Sequence, residues 1–181
     1  MKQPWIWDKE QLHLKIPVPM INLWKKLQPK AADRNYVFIL QKKAIHGLYN
    51  LSARESVREI FKTINILTVP SLYIYECIMY VRKNRSRLKK LTDLNPKAHH
   101  KHKIVFPKCR LQKTNNSFKC NGIRFYNAIP AQVEGLNETK FKNEIKSYLL
   151  SKAYYNIDDF VKDSNVWKRT VLKLESCNKV K

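Results

Sequence analysis

The sequence predicts a mainly α-helical protein: a small helical bundle with a basic, partly disordered middle segment and frayed termini. Three observations lead there. Apolar residues recur at helical spacing in several stretches between positions 33 and 161. The 181 residues include only three glycines, Gly47, Gly122 and Gly135, too few for the turns of an all-β fold or for a Gly-rich phosphate loop. Between Arg82 and Lys119, thirteen lysines and arginines stand against one acid, Asp93. A segment so charged does not collapse by itself.

Residues 1–32 predict no stable element. Pro17-Val18-Pro19 forces extended backbone, and Trp5, Trp7 and Trp24 suit scattered anchoring to the domain or to a partner. Asp33 is the candidate N-cap of a first helix that reaches about His46. Val37, Leu40, Ala44 and Leu48 share one face of it, Lys42, Lys43 and His46 lie opposite, and Gly47 suits the stop. Ser52 and Glu55 have capping-box spacing for a second helix. Its stripe is Val57, Ile60, Phe61 and Ile64, with Arg58, Glu59 and Lys62 on the wet side. Pro70 is tolerated in the first turn of a helix, so the third begins there.

From Leu72 to Val81 nearly every residue except Glu76 is apolar, which predicts the buried centre of the fold. Tyr73, Tyr75 and Tyr80 are read as core residues rather than platforms for bases. The run is not a membrane span: positions 66–81 fall short of the roughly 20 residues a bilayer needs and contain Pro70 and Glu76. Residues 33–84 are thus expected as a three-helix core.

Residues 85–119 read as a flexible basic linker, and 120–163 as a helical part that packs back on the core. Asn121 to Pro130 alternates briefly and suits either a short strand or one helical turn before Pro130. Asn137 is the next candidate N-cap, and Leu136 can staple to Phe141. Phe141, Ile145, Tyr148 and Leu149 extend that helix's apolar face toward the central one, and Ile157 to Val161 adds a final turn. Residues 164–181, including Trp167, read as a frayed basic tail.

The formal net charge of +22 resists compaction unless polyanions offset it. RNA or DNA is the expected partner, gripped along the phosphate backbone without base reading; an anionic membrane is the weaker fit. The candidate nucleic-acid-binding residues are Arg82, Lys83, Arg85, Arg87, Lys89, Lys90, Lys101, Lys103, Lys108 and Arg110. Lys83 to Lys90 also matches a nuclear-localisation pattern.

No metal or other cofactor is expected. His99, His100, His102, Cys109 and Cys120 lie near one another in sequence, but their spacing fits no structural zinc pattern and the lysines among them repel a cation. Cys77, Cys109, Cys120 and Cys177 make no C-x-x-C pair, and Asp8, Lys9 and Glu10 interrupt the apolar run a secretory leader needs. Reduced thiols and an intracellular location, nuclear or cytoplasmic, are the expectation.

A succession of short pieces carries a family likeness. They are Leu40-Gln41-Lys42-Lys43-Ala44-Ile45, Arg54-Glu55-Ser56, and Phe61-Lys62 through Ile66-Leu67-Thr68-Val69-Pro70-Ser71-Leu72-Tyr73-Ile74-Tyr75. Gly122-Ile123-Arg124-Phe125-Tyr126-Asn127, Ile129-Pro130, Phe141-Lys142, and Lys152-Ala153-Tyr154-Tyr155 before Asp158-Asp159-Phe160 follow in order. Over roughly two thirds of the chain this resembles the C-terminal region, downstream of the polymerase core, of reverse transcriptases from jockey-like non-LTR retrotransposons of insects. The resemblance implies a diverged or truncated element copy, with RNA or DNA and other parts of a retrotransposon protein as partners.

Polymerase chemistry in that family needs three carboxylates around two Mg²⁺ ions, two of them adjacent on a tight hairpin. Asp158-Asp159 follows Tyr155 at the wrong distance and reads as a helix-start or surface pair, and no endonuclease set is visible. The chain is therefore expected to be non-catalytic. The competing expectation is a helical protein-interaction module, with the central helix exposing an apolar patch once meant for a polymerase body.

Overall fold

The computed structural model describes residues 31–52, 54–94, 103–108, 110 and 116–163, with residues 31–33 as backbone only. In chain order the helices are α1 (Ala31–Tyr49), α2 (Arg58–Thr63), α3 (Val69–Lys83), α4 (Leu91–Leu94), α5 (Phe118–Ala128), α6 (Ala131–Glu134) and α7 (Glu138–Lys152). A final helix, α8, covers 157–163, and a single 3-10 turn, Arg85–Arg87, follows α3. The described residues contain no strand, only an antiparallel bridge between Lys90 and Ile104. The fold is the small helical bundle the sequence predicts. The segments expected to be poorly ordered, 1–32 and 164–181, lie outside the described residues except for the start of α1.

Thr68 opens α3, accepting from the Ser71 N–H, with Pro70 in the first turn as its rigid φ allows. Tyr73, Ile74, Cys77, Ile78 and Val81 are buried, so α3 is the central helix, and on its outer side Tyr80 is 36% exposed and Leu72, Tyr75 and Met79 are half-buried. Of its tyrosines, Tyr73 is core: it accepts from Asn121 Nδ2 (3.2 Å), and burial pushes its phenol up to about 12. The Cys77 thiol is pushed up by burial as well.

The N-terminus of α3 is tied down twice. Gln41 of α1 donates to the Leu67 carbonyl (3.0 Å) and accepts from the Val69 N–H (2.9 Å). The fully buried Thr68 and Ser71 hydroxyls hold the Tyr154 backbone, Ser71 Oγ accepting from its N–H (3.2 Å) and Thr68 donating to its carbonyl. That clamp sits where α7 ends, at Ala153 in the left-handed region (φ 45°).

Two cores result. The larger is built by α3, α5, α7 and α8, around Phe125, Phe141, Phe160, Ile78, Ile123, Ile145 and Leu149. Edge-on aromatic contacts run through it from Tyr80 to Phe118, Tyr73, Phe125, Phe160 and Tyr154. The smaller joins Phe38 and Ile45 of α1 to Val57, Phe61 and Val69. α7 follows its local signals: Asn137 accepts from the Lys140 N–H (2.9 Å), Leu136 and Tyr148 flank the larger core, and Phe141, Ile145 and Leu149 are fully buried.

Three elements depart from the sequence expectation. α1 begins upstream of Asp33 and runs through Gly47; Asn50, at φ 49°, stops it, and the Leu51 N–H reaches the His46 carbonyl (3.0 Å) in a Schellman closure. Its buried face is Phe38, Gln41 and Ile45, while Leu40 and Leu48 are 46% and 48% exposed. Phe38 wins that competition because it meets both Phe61 and Tyr155. α2 starts at Arg58 rather than Ser52: the Glu55 carboxylate does reach the Ser52 N–H (3.1 Å), but over a turn that precedes the helix. The stripe of Val57, Ile60, Phe61 and Ile64 still faces the smaller core.

The third departure is α5, which is three turns of helix instead of a strand or one turn. Ser117 caps it by accepting from the Cys120 N–H. Its close fit to α3 depends on Gly122, where a Cβ would come within 2.9 Å of the Cys77 carbonyl oxygen and of Val81 Cγ2. A hydrogen there sets the spacing of the two central helices.

Candidate nucleic-acid interface

α3 ends with Arg82 and Lys83 in its last turn, which suits the negative end of its dipole. Arg82 does not face solvent. Its guanidinium donates to the carbonyls of Glu134 (2.7 Å) and Leu136 (2.8 Å), lies 4.4 Å from the Phe141 ring centre, and stands 3.6 Å from the Glu138 carboxylate. Arg85 is ion-paired at 2.5 Å with Glu134, whose side chain is buried at 6% exposure and also accepts from the Tyr126 hydroxyl (3.3 Å). Burial pushes the Tyr126 phenol up, and the neighbouring arginines pull it partly back. Two of the ten candidate cations therefore cap α6 and bracket it against α3 and α7.

Three of the remaining cations, Lys89, Lys90 and Lys103, stand on a short ribbon. The Val105 N–H reaches the Lys89 carbonyl (2.9 Å) and the Leu91 N–H reaches the Lys103 carbonyl (2.9 Å), so 89–91 and 103–105 run antiparallel. Asp93 closes the first side by accepting from the Lys90 N–H (2.8 Å). Asn127 of α5 locks the second, donating to the Ile104 carbonyl and accepting from its N–H, both at 2.9 Å. Ile104, only 3% exposed, enters the larger core. The middle segment is therefore not a free linker throughout: at Leu88 and Ile104 it packs on the core.

The ribbon brings Lys89 and Lys90 beside Lys103. Lys83, Arg87, Lys89, Lys108 and Arg110 are exposed, and Lys90 and Lys103 are half-buried. Lys101 lies outside the described residues, as do His99, His100, His102 and Cys109; Cys120 is buried. Sequence reasoning missed two members of this surface. Phe106 is 38% exposed, and the Arg124 guanidinium stands 6.0 Å from its ring centre. Exposed cations beside an exposed aromatic ring are the parts of a single-strand platform: charge tracks the phosphates and the ring offers a stacking face. No sequence signal marked Phe106: extended spacing would put it on the same face as the buried Ile104, yet it is exposed.

No protein-family model, curated protein or solved structure matches this chain. The residues themselves carry the chemistry. Among the described residues, no group of three or more His, Cys, Asp or Glu side chains gathers as a metal site, and no helix is long and apolar enough to cross a membrane. Asp158 and Asp159 lie in the first turn of α8.

Proposed function

We propose that this chain is a non-catalytic helical protein that binds single-stranded RNA or DNA through the phosphate backbone, inside the cell, in the nucleus or cytoplasm. Its proposed kinship is to the region downstream of the polymerase core in jockey-like retrotransposon reverse transcriptases. The binding surface in this reading is Lys83, Arg87, Lys89, Lys90, Lys103, Lys108 and Arg110, with Arg124 and Phe106 beside them. The observation that carries it is the antiparallel pairing of 89–91 with 103–105, which brings the exposed Lys89 together with the half-buried Lys90 and Lys103, while Lys83, Arg87, Lys108 and Arg110 stand exposed in the segments that lead into and out of it. The test is affinity for a labelled single-stranded RNA across salt concentration. Log affinity is expected to fall with log salt by about 0.7 for each phosphate neutralised; a flat dependence contradicts the reading.

A second reading rests on a different observation. The α1 face formed by Leu40, Ala44 and Leu48 is exposed, and Tyr36 beside it is 63% exposed. An apolar stripe of this kind suits a protein partner. Self-association that persists at high salt, without nucleic acid, favours it over the first.

A further inference from the structure

The outward face of α1 carries two adjacent rows of side chains at four-residue spacing. One row is Tyr36, Leu40, Ala44 and Leu48, all exposed. The other is Ile39, Lys43 and Gly47, also exposed, which borders a cleft of about 730 Å³. Leu51 adds apolar surface to that cleft and Lys42 a second positive charge. Rows at this spacing are the ridges that a second helix packs against. From Tyr36 to Leu48 they run about 18 Å along the helix axis.

Gly47 singles this face out. It sits in helical backbone without a positive φ, where glycine weakens a helix relative to alanine. The fold itself makes no use of it: among the described residues, a Cβ there would meet nothing within 4 Å. Gly122, by contrast, is what lets α5 approach α3. With Ala44 three residues earlier, Gly47 leaves room for another backbone to come close to the middle of the exposed rows. Charge narrows what that backbone belongs to. Between Arg34 and Ser52 the sequence has Arg34, Lys42 and Lys43 and no acid. The acid lining the cleft, Glu55, is already engaged by the Ser52 N–H (3.1 Å). A second copy of the chain would bring the same lysines and another net charge of +22, which repel.

We propose that this face of α1 docks an acidic amphipathic helix of another protein. The apolar stripe of that helix lies along Tyr36, Leu40 and Leu48, and its backbone passes over Ala44 and Gly47. One large apolar side chain enters the cleft beside Ile39 and Leu51, and flanking carboxylates meet Lys42 and Lys43. This is the helix-in-groove mode of recognition, with complementary charge fixing the partner. The proposal rests on the protein-partner reading above and draws nothing from the basic ribbon. α1 is tied to the Val69 end of α3, whereas the ribbon adjoins the Lys83 end. A helix of 15 residues holds those ends about 22 Å apart.

The experiment titrates the full chain against three fluorescein-labelled synthetic peptides and reads anisotropy. The first peptide has leucines on one helical stripe flanked by glutamates. The second has the same composition with the leucines scattered, and the third has lysines in place of the glutamates. Saturable binding of the first is expected, with the other two at least about tenfold weaker. Leu40→Ser/Leu48→Ser and Lys43→Glu, all at exposed positions, each weaken it by about tenfold or more. Gly47→Ala melts about 2–4 °C higher than the parent yet binds the peptide less tightly, a combination a merely structural glycine does not give. A variant neutralised only at Lys83, Arg87, Lys89 and Lys90 binds the peptide unchanged. The proposal is overturned by equal binding of the scattered peptide, or by affinity that is unaltered in Gly47→Ala or in Leu40→Ser/Leu48→Ser. It is also overturned if a single-stranded RNA displaces the peptide from the ribbon-neutralised variant, which would give the face to nucleic acid. Self-association abolished by Leu40→Ser/Leu48→Ser would replace the acidic helix with a second copy and leave the protein-partner reading standing. Failure of that reading would look different: neither peptide binding nor self-association would respond to Leu40 and Leu48.

Discussion

Glu134→Ala lowers the melting temperature by roughly 6–12 °C, from a loss of about 3 kcal/mol in a chain of this size. The side chain is 6% exposed and serves both the Arg85 guanidinium and the Tyr126 hydroxyl. Removing it leaves a half-buried cation beside α6 with no acid, and Arg85 Nε already has no hydrogen-bond partner. The penalty is the uncompensated charge more than the lost attraction. Glu134→Gln keeps the shape and an acceptor oxygen, so it costs less. Glu144→Ala, an exposed control on α7, stays within about 0.5 kcal/mol of the parent. Thermal unfolding followed by circular dichroism measures all three. A Glu134→Ala protein that melts with the parent would show that the bracket carries no stability.

The second large effect is on binding. Lys83→Gln, Arg87→Gln, Lys89→Gln and Lys90→Gln together lower affinity for single-stranded RNA on the order of 10²–10³-fold near 0.1 M salt and reduce the salt slope by about 3. The melting temperature does not fall, because these side chains carry none of the bracket's bonds and their loss relieves self-repulsion in a chain of charge +22. Arg82→Gln with Arg85→Gln gives the opposite pattern: a lower melting temperature and an almost unchanged slope. Neutralising all six at once would confuse folding with binding. Titrations of the two variant proteins beside the parent separate them.

The sequence made α7 legible because its signals are local. Asn137, Leu136 and Phe141 lie within six residues and each does what its spacing implies. α3 was legible for a similar reason, an apolar run with Pro70 at its start. α1 was legible as a helix but not in its facing. It carries two apolar stripes, and only contact with Phe61, Tyr155 and the start of α3 selects Phe38, Gln41 and Ile45. α5 was the hardest, because Asn121, Gly122 and Asn127 are weak helix formers. Each is used for a tertiary contact: Asn121 with Tyr73, Gly122 against α3, and Asn127 on Ile104.

The candidate site divides in the same way. That the middle segment is basic could be read directly. Which cations face solvent could not, since the partners of Arg82 and Arg85 come from Glu134 and Leu136, far along the chain. Phe106 and Arg124 joined the surface only once the ribbon had been pinned to α5.

The central claim is that the exposed cations around the ribbon are the nucleic-acid contact. Lysine acetylation read by mass spectrometry, with and without a single-stranded RNA, tests it residue by residue. Protection is expected at Lys83, Lys89, Lys90, Lys103 and Lys108, with Lys140 and Lys146 on the exposed side of α7 modified as fast as in the free protein. Equal protection at Lys140 and Lys146, or none around the ribbon, would contradict it.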